Sequence, residues 1–485
     1  MNATIAAAAP ITASGGFSLL APGATNNTAL TVGMETGTAG AKSGAATISF
    51  VSDASNVGGC APNCQLSIGT QTVSVSGSVY RLANPTIDPK TVNLAARVGD
   101  ANPQAPIGVT NASPDAFTER LNASFGSVAN GFAASGAIAG LSAGASSNAM
   151  SLTLNTAAAG TYGGTAQVNF VSSGAGTTGA LDANLGSQTV ALSGRVYTPA
   201  VAQVNTGVLD FGIVHKGDVV AARNVSVSNT APVATPNDVL VGSLGSNGGP
   251  FTASGNLAGV AAQASDTTSF AVALSTANAG VFSSSANATF ASHNAELADK
   301  ALGTSTVTLK AQVNSFAELA VAHAAGAGSL SASAGGYTLD FGTILLGSAG
   351  PMAELGILNA ASGPADLLNG AFSFGTGTGF TFDGFGPFAG IASRGTQSGL
   401  DIVFDSASLG TFSQTITISS FGSNASGYQG PSFDTTLMVR GTVAVATIPE
   451  PETYLLMSAG LLTLWVARRR STRHTRSSSM SGPSD

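Results

Sequence analysis

The chain has 485 residues and a formal net charge of −7, with 8% charged and 44% hydrophobic residues. Disordered chains usually combine low hydrophobicity with high net charge, so this composition favours folded domains. Nucleic-acid binding needs a clustered basic face, which a dilute and mildly acidic chain does not provide. We therefore expect roughly three or four folded domains and no nucleic-acid partner.

One strand–turn–strand block recurs four times, with its central glycines at Gly40, Gly160, Gly280 and Gly410. A glycine between two alternating segments predicts a β-hairpin in each copy. A second block closes each copy and alternates apolar with small polar residues, as half-buried strands do. Its copies are Thr72–Tyr80, Thr189–Tyr197, Thr306–Asn314 and Thr436–Ala444.

Each copy contains several short predicted strands, which is the profile of an immunoglobulin-like sandwich. The predicted fold class is all-β: tandem immunoglobulin-like β-sandwiches with a short C-terminal transmembrane-type helix. The predicted domains are a truncated repeat at 1–85 and further repeats at 86–202, 203–322 and 323–447. A C-terminal segment at 448–470 and a basic, polar tail at 471–485 follow them.

The first predicted domain lacks its opening block. Asn2–Ile5 matches Asn122–Phe125 at an offset of 120 residues, so Met1 lies in mid-domain. We expect a true start upstream, with about 35 more residues and an export signal. The alternative is a fragmentary domain, which would leave sheet edges open.

Two cysteines, Cys60 and Cys64, occur in the segment Cys-Ala-Pro-Asn-Cys. Zinc needs about four ligands, and no histidine lies near. A small disulfide at a loop tip would suit an oxidising compartment. The alternative is a pair of reduced loop thiols.

A third block opens the later copies. It reads Asn93–Asp100, then Asp210–Asp218, then Asp340–Ser348, and an Asn-centred turn follows each. Leu209–Gly212, Gly217-Asp218 and Val225–Thr230 resemble the choice-of-anchor D family of immunoglobulin-like domains, and Leu339–Gly347 resembles it more loosely. The resemblance implies a sandwich fold and export, and it implies no reaction.

Candidate catalytic patterns are isolated. The two Asp-Phe-Gly tripeptides lack the other kinase motifs and occupy equivalent strand starts, which favours a structural role. Gly140–Gly144 matches the nucleophile-elbow pattern around Ser142, but its Gly/Ala/Ser-rich surroundings make chance matches common. We predict no enzyme activity, no cofactor and no metal site.

Histidines and phenylalanines give no clear binding site. The four histidines lack metal-ligand spacing, so solvated loop or strand positions are expected for His215, His293, His323 and His474. After the glycine-rich loop Gly375–Gly379 come Phe380, Phe382, Phe385 and Phe388. They predict either a core-facing set, which we favour, or a binding surface.

The carboxyl terminus has three consecutive parts. Pro449, Glu450 and Pro451 come first, the apolar run Tyr454–Ala467 follows, and Arg468, Arg469 and Arg470 end it. The apolar run is short for a permanent membrane span, because a bilayer core needs about 20 residues. The arginine cluster is expected on the cytoplasmic side by the positive-inside rule. An ordinary C-terminal membrane anchor is the alternative to a sorting signal.

These three parts, in this order at Ile448–Arg470, resemble the PEP-CTERM sorting signal. The resemblance implies processing by an exosortase near Pro449–Pro451, transient residence in the inner membrane of a Gram-negative bacterium, and delivery to the outer surface or matrix. The same tail is associated with some ice-binding-type proteins. Ser471–Asp485 extends beyond the usual arginine stop.

The expected function is that of an exported structural or adhesive protein of the cell surface or extracellular matrix. A role in biofilm and contact with extracellular polysaccharide are what the tail's resemblance implies. The alternative is a glycan- or ice-binding surface module, which would need regularly spaced threonines on one sheet face. A hydrolase is the third reading, and it would need a Ser-His-Asp cluster.

Overall fold

A computed structural model describes residues 1–446 and a helix, α1, at Pro451–Arg470, whose side chains are described for residues 455–465. These described residues contain 35 strands and this one helix, which confirms the all-β prediction. We use the names repeat 1, repeat 2, repeat 3 and repeat 4 for the strand sets β1–β5, β6–β14, β15–β25 and β26–β35.

Repeat 1 comprises Asn2–Ala7, Ile11–Phe17, Leu30–Met34, Gly40–Asp53 and Gln65–Val79. Repeat 2 comprises Pro85–Asp88, Thr91–Arg97, Gln104–Asn111, Arg120–Val128, Phe132–Ser135, Ala137–Leu141, Ser146–Leu154, Gly160–Ser173 and Ala183–Tyr197. Repeat 3 comprises Ala202–Val204, Val208–His215, Arg223–Asn224, Val227–Asn229, Val239–Ser246, Phe251–Ser254, Asn256–Val260, Ser265–Asp266, Ala271–Leu274, Gly280–His293 and Lys300–Asn314. Repeat 4 comprises Leu319–Gly326, Ser329–Ser333, Gly336–Leu345, Met352–Asn359, Leu367–Phe374, Phe380–Asp383, Phe388–Ile391, Thr396–Phe404, Gly410–Ser423 and Phe433–Ala444.

Repeats 2, 3 and 4 each place sheets face to face. In repeat 2 the order β10-β12-β8-β6 faces β11-β9-β13-β14-β7. In repeat 3, β16-β25-β24-β19-β21 faces two three-stranded pieces, β15-β18-β22 and β17-β23-β20. In repeat 4, β26-β29-β33-β31 faces β27-β28-β35-β34-β30-β32. Repeat 1 is a five-stranded sheet of order β3-β2-β1-β4-β5.

Alternation in the sequence explains why these strands bury one face. In β14, Val190, Leu192 and Val196 are at most 5% exposed, while alternate residues between them are exposed. They join residues of the opposite sheet, such as Ile107 and Val109, in one core. Repeats 3 and 4 have equivalent cores. The closing blocks are therefore half-buried strands, as predicted.

The opening blocks also form strands. β7, β16 and β28 run parallel to β14, β25 and β35, the closing strands of the same repeats. This parallel pair closes the edge of each large sheet, except in repeat 4, where β27 lies outside β28. The asparagines after these blocks, Asn111, Asn229 and Asn359, are completely buried and bond to backbone atoms of neighbouring segments.

The predicted hairpins around Gly40, Gly160, Gly280 and Gly410 are wrong. β12 pairs with β8 and β10, whereas β13, which begins at Gly160, pairs with β9 and β14 in the facing sheet. In repeats 2, 3 and 4 the glycine therefore marks a crossing from one sheet to the other, whereas in repeat 1 β3 and β4 belong to the same sheet without pairing. Local alternation indicates that two strands exist, but it does not specify which neighbour each strand bonds.

Candidate functional site: the C-terminal tail and the repeat junctions

Helix α1 presents a nearly continuous apolar surface. Its described side chains include seven large apolar residues that are 56–76% exposed: Leu455, Leu456, Met457, Leu461, Leu462, Leu464 and Trp465. Helices that are hydrophobic all round are found inside large proteins or in contact with lipid. The exposed surface of α1 is therefore suited to contact with another apolar phase.

Among the residues that the structure describes, no helix is both long enough and apolar enough to cross a membrane, so the predicted transmembrane character of α1 is unsupported. Pro449, Glu450, Ser471–Asp485 and with them His474 lie outside the described residues. The backbone of Pro451 and of Arg468, Arg469 and Arg470 belongs to α1, and their side chains lie outside the described set.

Buried carboxylates mark the places where consecutive repeats meet. Asp238 and Asp366 are completely buried, and Glu119 is 5% exposed. Asp238, Asp366 and Glu119 come directly before β19, β30 and β9, which each lie in the large sheet of their repeat. A buried charge needs a partner and hydrogen bonds to offset its desolvation. Glu119 accepts bonds from Ser172 and Thr178 of its own repeat, whereas Asp238 and Asp366 bond to side chains of the preceding repeat.

At the junction of repeats 2 and 3, Asp238 is paired with an arginine from the preceding repeat. The Arg97 Nε donates to Asp238 Oδ2 at 2.5 Å, and both side chains are at most 5% exposed. The two terminal nitrogens of Arg97 donate to the carbonyl oxygens of Ala298 and Ser292 at 2.9 and 3.1 Å. Ser292 Oγ donates a further 2.6 Å bond to Asp238. This network joins the two repeats.

Two further ion pairs lie at the same junction. Lys300 Nζ donates to Asp100 Oδ1 at 2.7 Å, and this bond lowers the pKa of the Asp100 carboxyl below its usual range. Arg195 pairs with Glu296. Burial, with the nearby Glu296 charge, raises the pKa of the adjacent Tyr197 phenol. All these pairs connect repeat 2 with repeat 3.

The junction of repeats 3 and 4 uses a histidine. His215 Nε2 lies 2.8 Å from Asp366 Oδ2, and Asn314 and Asn424 donate to Asp366 Oδ1 at 3.0 and 2.8 Å. His215 is only 6% exposed. The prediction of a solvated position is therefore wrong for this histidine, because the next repeat covers it.

The cysteines lie in the loop between β4 and β5 and are both free thiols in the structure. The Cys64 Sγ contacts the carbonyl oxygen of Cys60. The hydrogen bond to Cys60 raises the pKa of the Cys64 thiol. A disulfide between them stays a prediction.

The isolated catalytic patterns have structural explanations. Ser142 lies in the loop that joins β11 to β12, so it does not have the strand-to-helix turn of a nucleophile elbow. In both Asp-Phe-Gly tripeptides the aspartate accepts a 2.8 Å bond from the glycine N–H, and the phenylalanine is buried. Phe388 lies in the core of repeat 4, and Phe380, Phe382 and Phe385 pack against that core.

Within residues 1–446 and the described part of α1, no three His, Cys, Asp or Glu side chains lie close enough together to bind a metal ion.

The tail is the part of the chain that a family model recognises. Residues 447–470 match the PEP-CTERM protein-sorting motif. This confirms the predicted sorting signal, and the PEP-CTERM motif implies an exported protein that exosortase sorts. The exposed leucines of α1 thus belong to the PEP-CTERM tail. No curated protein matches the chain.

Solved structures with some similarity include cadherin-type arrays. Extracellular cadherin domains 1–5 of protocadherin gamma B2 share 10% identity at a TM-score of 0.39, covering 92% of this chain and 74% of that chain. Mouse protocadherin-24 EC1–3 shares 12% identity at 0.33, covering 73% and 98%. A PapD-like domain of human CEP192 shares 12% at 0.19, covering 27% and 87%. At these scores the fold assignment depends on the strand pairing described above.

Local sequence patterns do not predict the contacts of the junction residues. A weak signal for them exists: Pro236-Asn237-Asp238-Val239-Leu240 and Pro364-Ala365-Asp366-Leu367-Leu368 are alike. The same acidic residue directly before an apolar strand start recurs in two repeats, and this recurrence indicates a shared role. The partners Arg97 and His215 are 141 and 151 residues away, where no local pattern points to them.

Proposed function

We propose that this chain is a non-enzymatic structural or adhesive protein of the bacterial cell surface or extracellular matrix, sorted through its PEP-CTERM tail. The observation that carries the proposal is the combination of this tail with a tandem array of β-sandwiches joined by buried ion pairs. Repeats that are firmly joined end to end can hold one end of the chain away from the cell surface, as a stalk or adhesive module requires. The resemblance to choice-of-anchor D domains in repeats 3 and 4 supports the same role.

The finer steps are part of the same proposal. An exosortase-type enzyme would process the chain near Pro449–Pro451 while α1 contacts the inner membrane of a Gram-negative cell, with Arg468–Arg470 on the cytoplasmic side. The exposed apolar side chains of α1 support the membrane contact. Extracellular polysaccharide in a biofilm is the proposed surrounding. As domain boundaries we propose 1–85, 86–202, 203–322, 323–447, 448–470 and 471–485.

Editing the gene at its native locus tests the sorting. Removal of Ile448–Asp485 should abolish delivery to the surface, measured by cell fractionation and by protease accessibility on intact cells. Replacement of Pro449, Glu450 and Pro451 by alanine should have the same effect. Deletion of Ser471–Asp485 alone is the matched control and should leave sorting intact. Unchanged surface delivery in the first two variants would contradict the proposal.

A glycan- or ice-binding face is a second candidate, favoured by the strand register. On the outer face of β4 and β5, Thr47 lies opposite Thr72 and Ser49 opposite Thr70, all exposed. The equivalent pairs in the later repeats are Gln167 with Thr189, Asn287 with Thr306, and Thr417 with Thr436. Polar side chains on such a face repeat at about 4.8 Å across strands and about 6.8 Å along them.

This second candidate predicts that bulk on the flat face abolishes binding. Thr47→Tyr should eliminate retention on a glycan array or inhibition of ice recrystallisation, because the ring projects from the row of hydroxyls. Thr28→Tyr, at an exposed loop position of the same repeat, is the control. If the wild-type protein is inactive in both assays, the second candidate is rejected.

A further inference from the structure

Arg97 and His215 occupy the same position in successive repeats. Each is the last residue of its repeat's opening strand, β7 or β16. In the parallel register, Arg97 lies beside Tyr197 and His215 beside Asn314. Each side chain bonds the buried carboxylate of the next repeat, Asp238 or Asp366. The two junctions therefore share one design and differ in the cation: arginine stays charged at all ordinary pH values, whereas histidine does not.

The groups facing His215 come from every element around it. Asp366 from repeat 4 lies 2.8 Å from Nε2, and Asp218 from the adjoining turn lies 3.6 Å from Nδ1. The Phe316 ring stacks on the imidazole with centroids 4.3 Å apart, and the Tyr428 ring lies at 4.4 Å. Asn424 Nδ2 approaches Nε2 at 3.4 Å. Two carboxylates thus face the two ring nitrogens inside an aromatic enclosure.

This arrangement suits an imidazolium. A doubly protonated ring presents an N–H toward each carboxylate, whereas a neutral ring has one nitrogen that can only accept. Loss of the proton therefore turns one nitrogen's lone pair toward an aspartate. It also removes the cation nearest to the completely buried Asp366, whose remaining partners are the amides of Asn314 and Asn424. A buried carboxylate without a cation is strongly disfavoured.

We propose that His215 and Asp366 form a pH-dependent joint between repeats 3 and 4, firm when His215 is protonated and loose when it is neutral. Only a protonated imidazole can donate to both carboxylates, so the joint is firm in mild acid and loosens at higher pH. The junction of repeats 2 and 3, with Arg97, Lys300 and Arg195 as its cations, keeps its geometry over the same range. Through this joint, pH would control how freely repeat 4 moves relative to repeat 3, while repeats 2 and 3 stay firmly joined.

Distance measurements on the full chain test the joint. Spin labels at Ser283→Cys and Ser413→Cys, both exposed, span repeats 3 and 4, in a background with Cys60→Ser and Cys64→Ser. The wild-type junction should give a single narrow distance distribution at pH 5.5 that broadens at pH 8.5. Labels at Thr165→Cys and Ser283→Cys, which span repeats 2 and 3, should give the same distribution at both values.

Exchanging the two cations makes the test specific. His215→Arg should keep the junction of repeats 3 and 4 narrow at both pH values, and His215→Gln should keep it broad at both. Arg97→His should transfer the pH dependence to the junction of repeats 2 and 3, so the proposal remains testable if a His215 variant does not fold. A wild-type distribution unaffected by pH, or a pH response that persists in His215→Arg, overturns the proposal.

Discussion

The Asp-Phe-Gly tripeptides show how single residues form the repeats. Gly212 and Gly342 have φ angles of +75° and +68°, in the left-handed region, at a register shift between the opening and closing strands. In repeat 4 the Gly342 N–H bond, followed by Arg440, lowers the pKa of the Asp340 carboxyl. The tripeptide therefore combines a bulge glycine, the aspartate that fixes it and a phenylalanine for the core.

Gly212→Ala should destabilise repeat 3 by about 1–2 kcal/mol, because a side chain at positive φ is strained. A Cβ at Gly212 has no neighbour within 4 Å, so backbone strain is the whole cost. Gly245→Ala is the control within the same sheet: it is equally open, and alanine should stabilise this strand by about 0.5–1 kcal/mol. Urea unfolding measures both, and equal effects would disprove the bulge role.

At the scale of elements, the strands follow from the sequence and their partners do not. Period-2 alternation in β5, β14, β25 and β35 is a local property, so those four strands could be predicted. The segments on either side of Gly160 look like a hairpin, yet they belong to facing sheets. Sheet membership depends on which apolar faces meet in the core, and this information is spread over about a hundred residues of each repeat.

Among the described elements, α1 is the one helix. Because its described side chains are exposed, we predict that it does not contribute to the stability of the repeats. Removing Ile448–Asp485 should leave the thermal unfolding midpoint of the repeats unchanged, since burial of apolar area is what stabilises a fold. The same deletion should abolish binding to phospholipid vesicles. Calorimetry and vesicle flotation are the measurements, with the full chain as control; a clear fall in the midpoint would show that α1 packs on the repeats.

At the scale of the whole molecule, charge is concentrated where repeats meet. Only 8% of the residues are charged, yet the junction of repeats 2 and 3 contains three ion pairs. The junction of repeats 1 and 2 has an exposed pair instead, Arg81 with Asp115 at 2.6 Å. The two junctions therefore differ in the burial of an ion pair: Arg97 and Asp238 are buried, whereas Arg81 and Asp115 are exposed.

Arg97→Ala should destabilise the protein by about 3–5 kcal/mol, because it leaves Asp238 buried without its cation. Arg81→Ala removes an exposed pair and should cost at most about 1 kcal/mol. Urea unfolding followed by circular dichroism compares the two variants. Asp238→Asn should restore part of the stability in the Arg97→Ala background, and similar losses in both single variants would contradict the role of burial.

The sequence by itself determined the all-β class, the repeat spacing, the closing strands and the PEP-CTERM tail. All of these are local patterns: a period of two, a recurring block, or three consecutive segments at one terminus. Only the tertiary structure decided that the glycine blocks of repeats 2, 3 and 4 cross between sheets, that His215 is buried, and that Arg97 and His215 reach carboxylates in the next repeat. Those contacts join residues 141 and 151 positions apart, and they form because stacking of the repeats removes both partners from water.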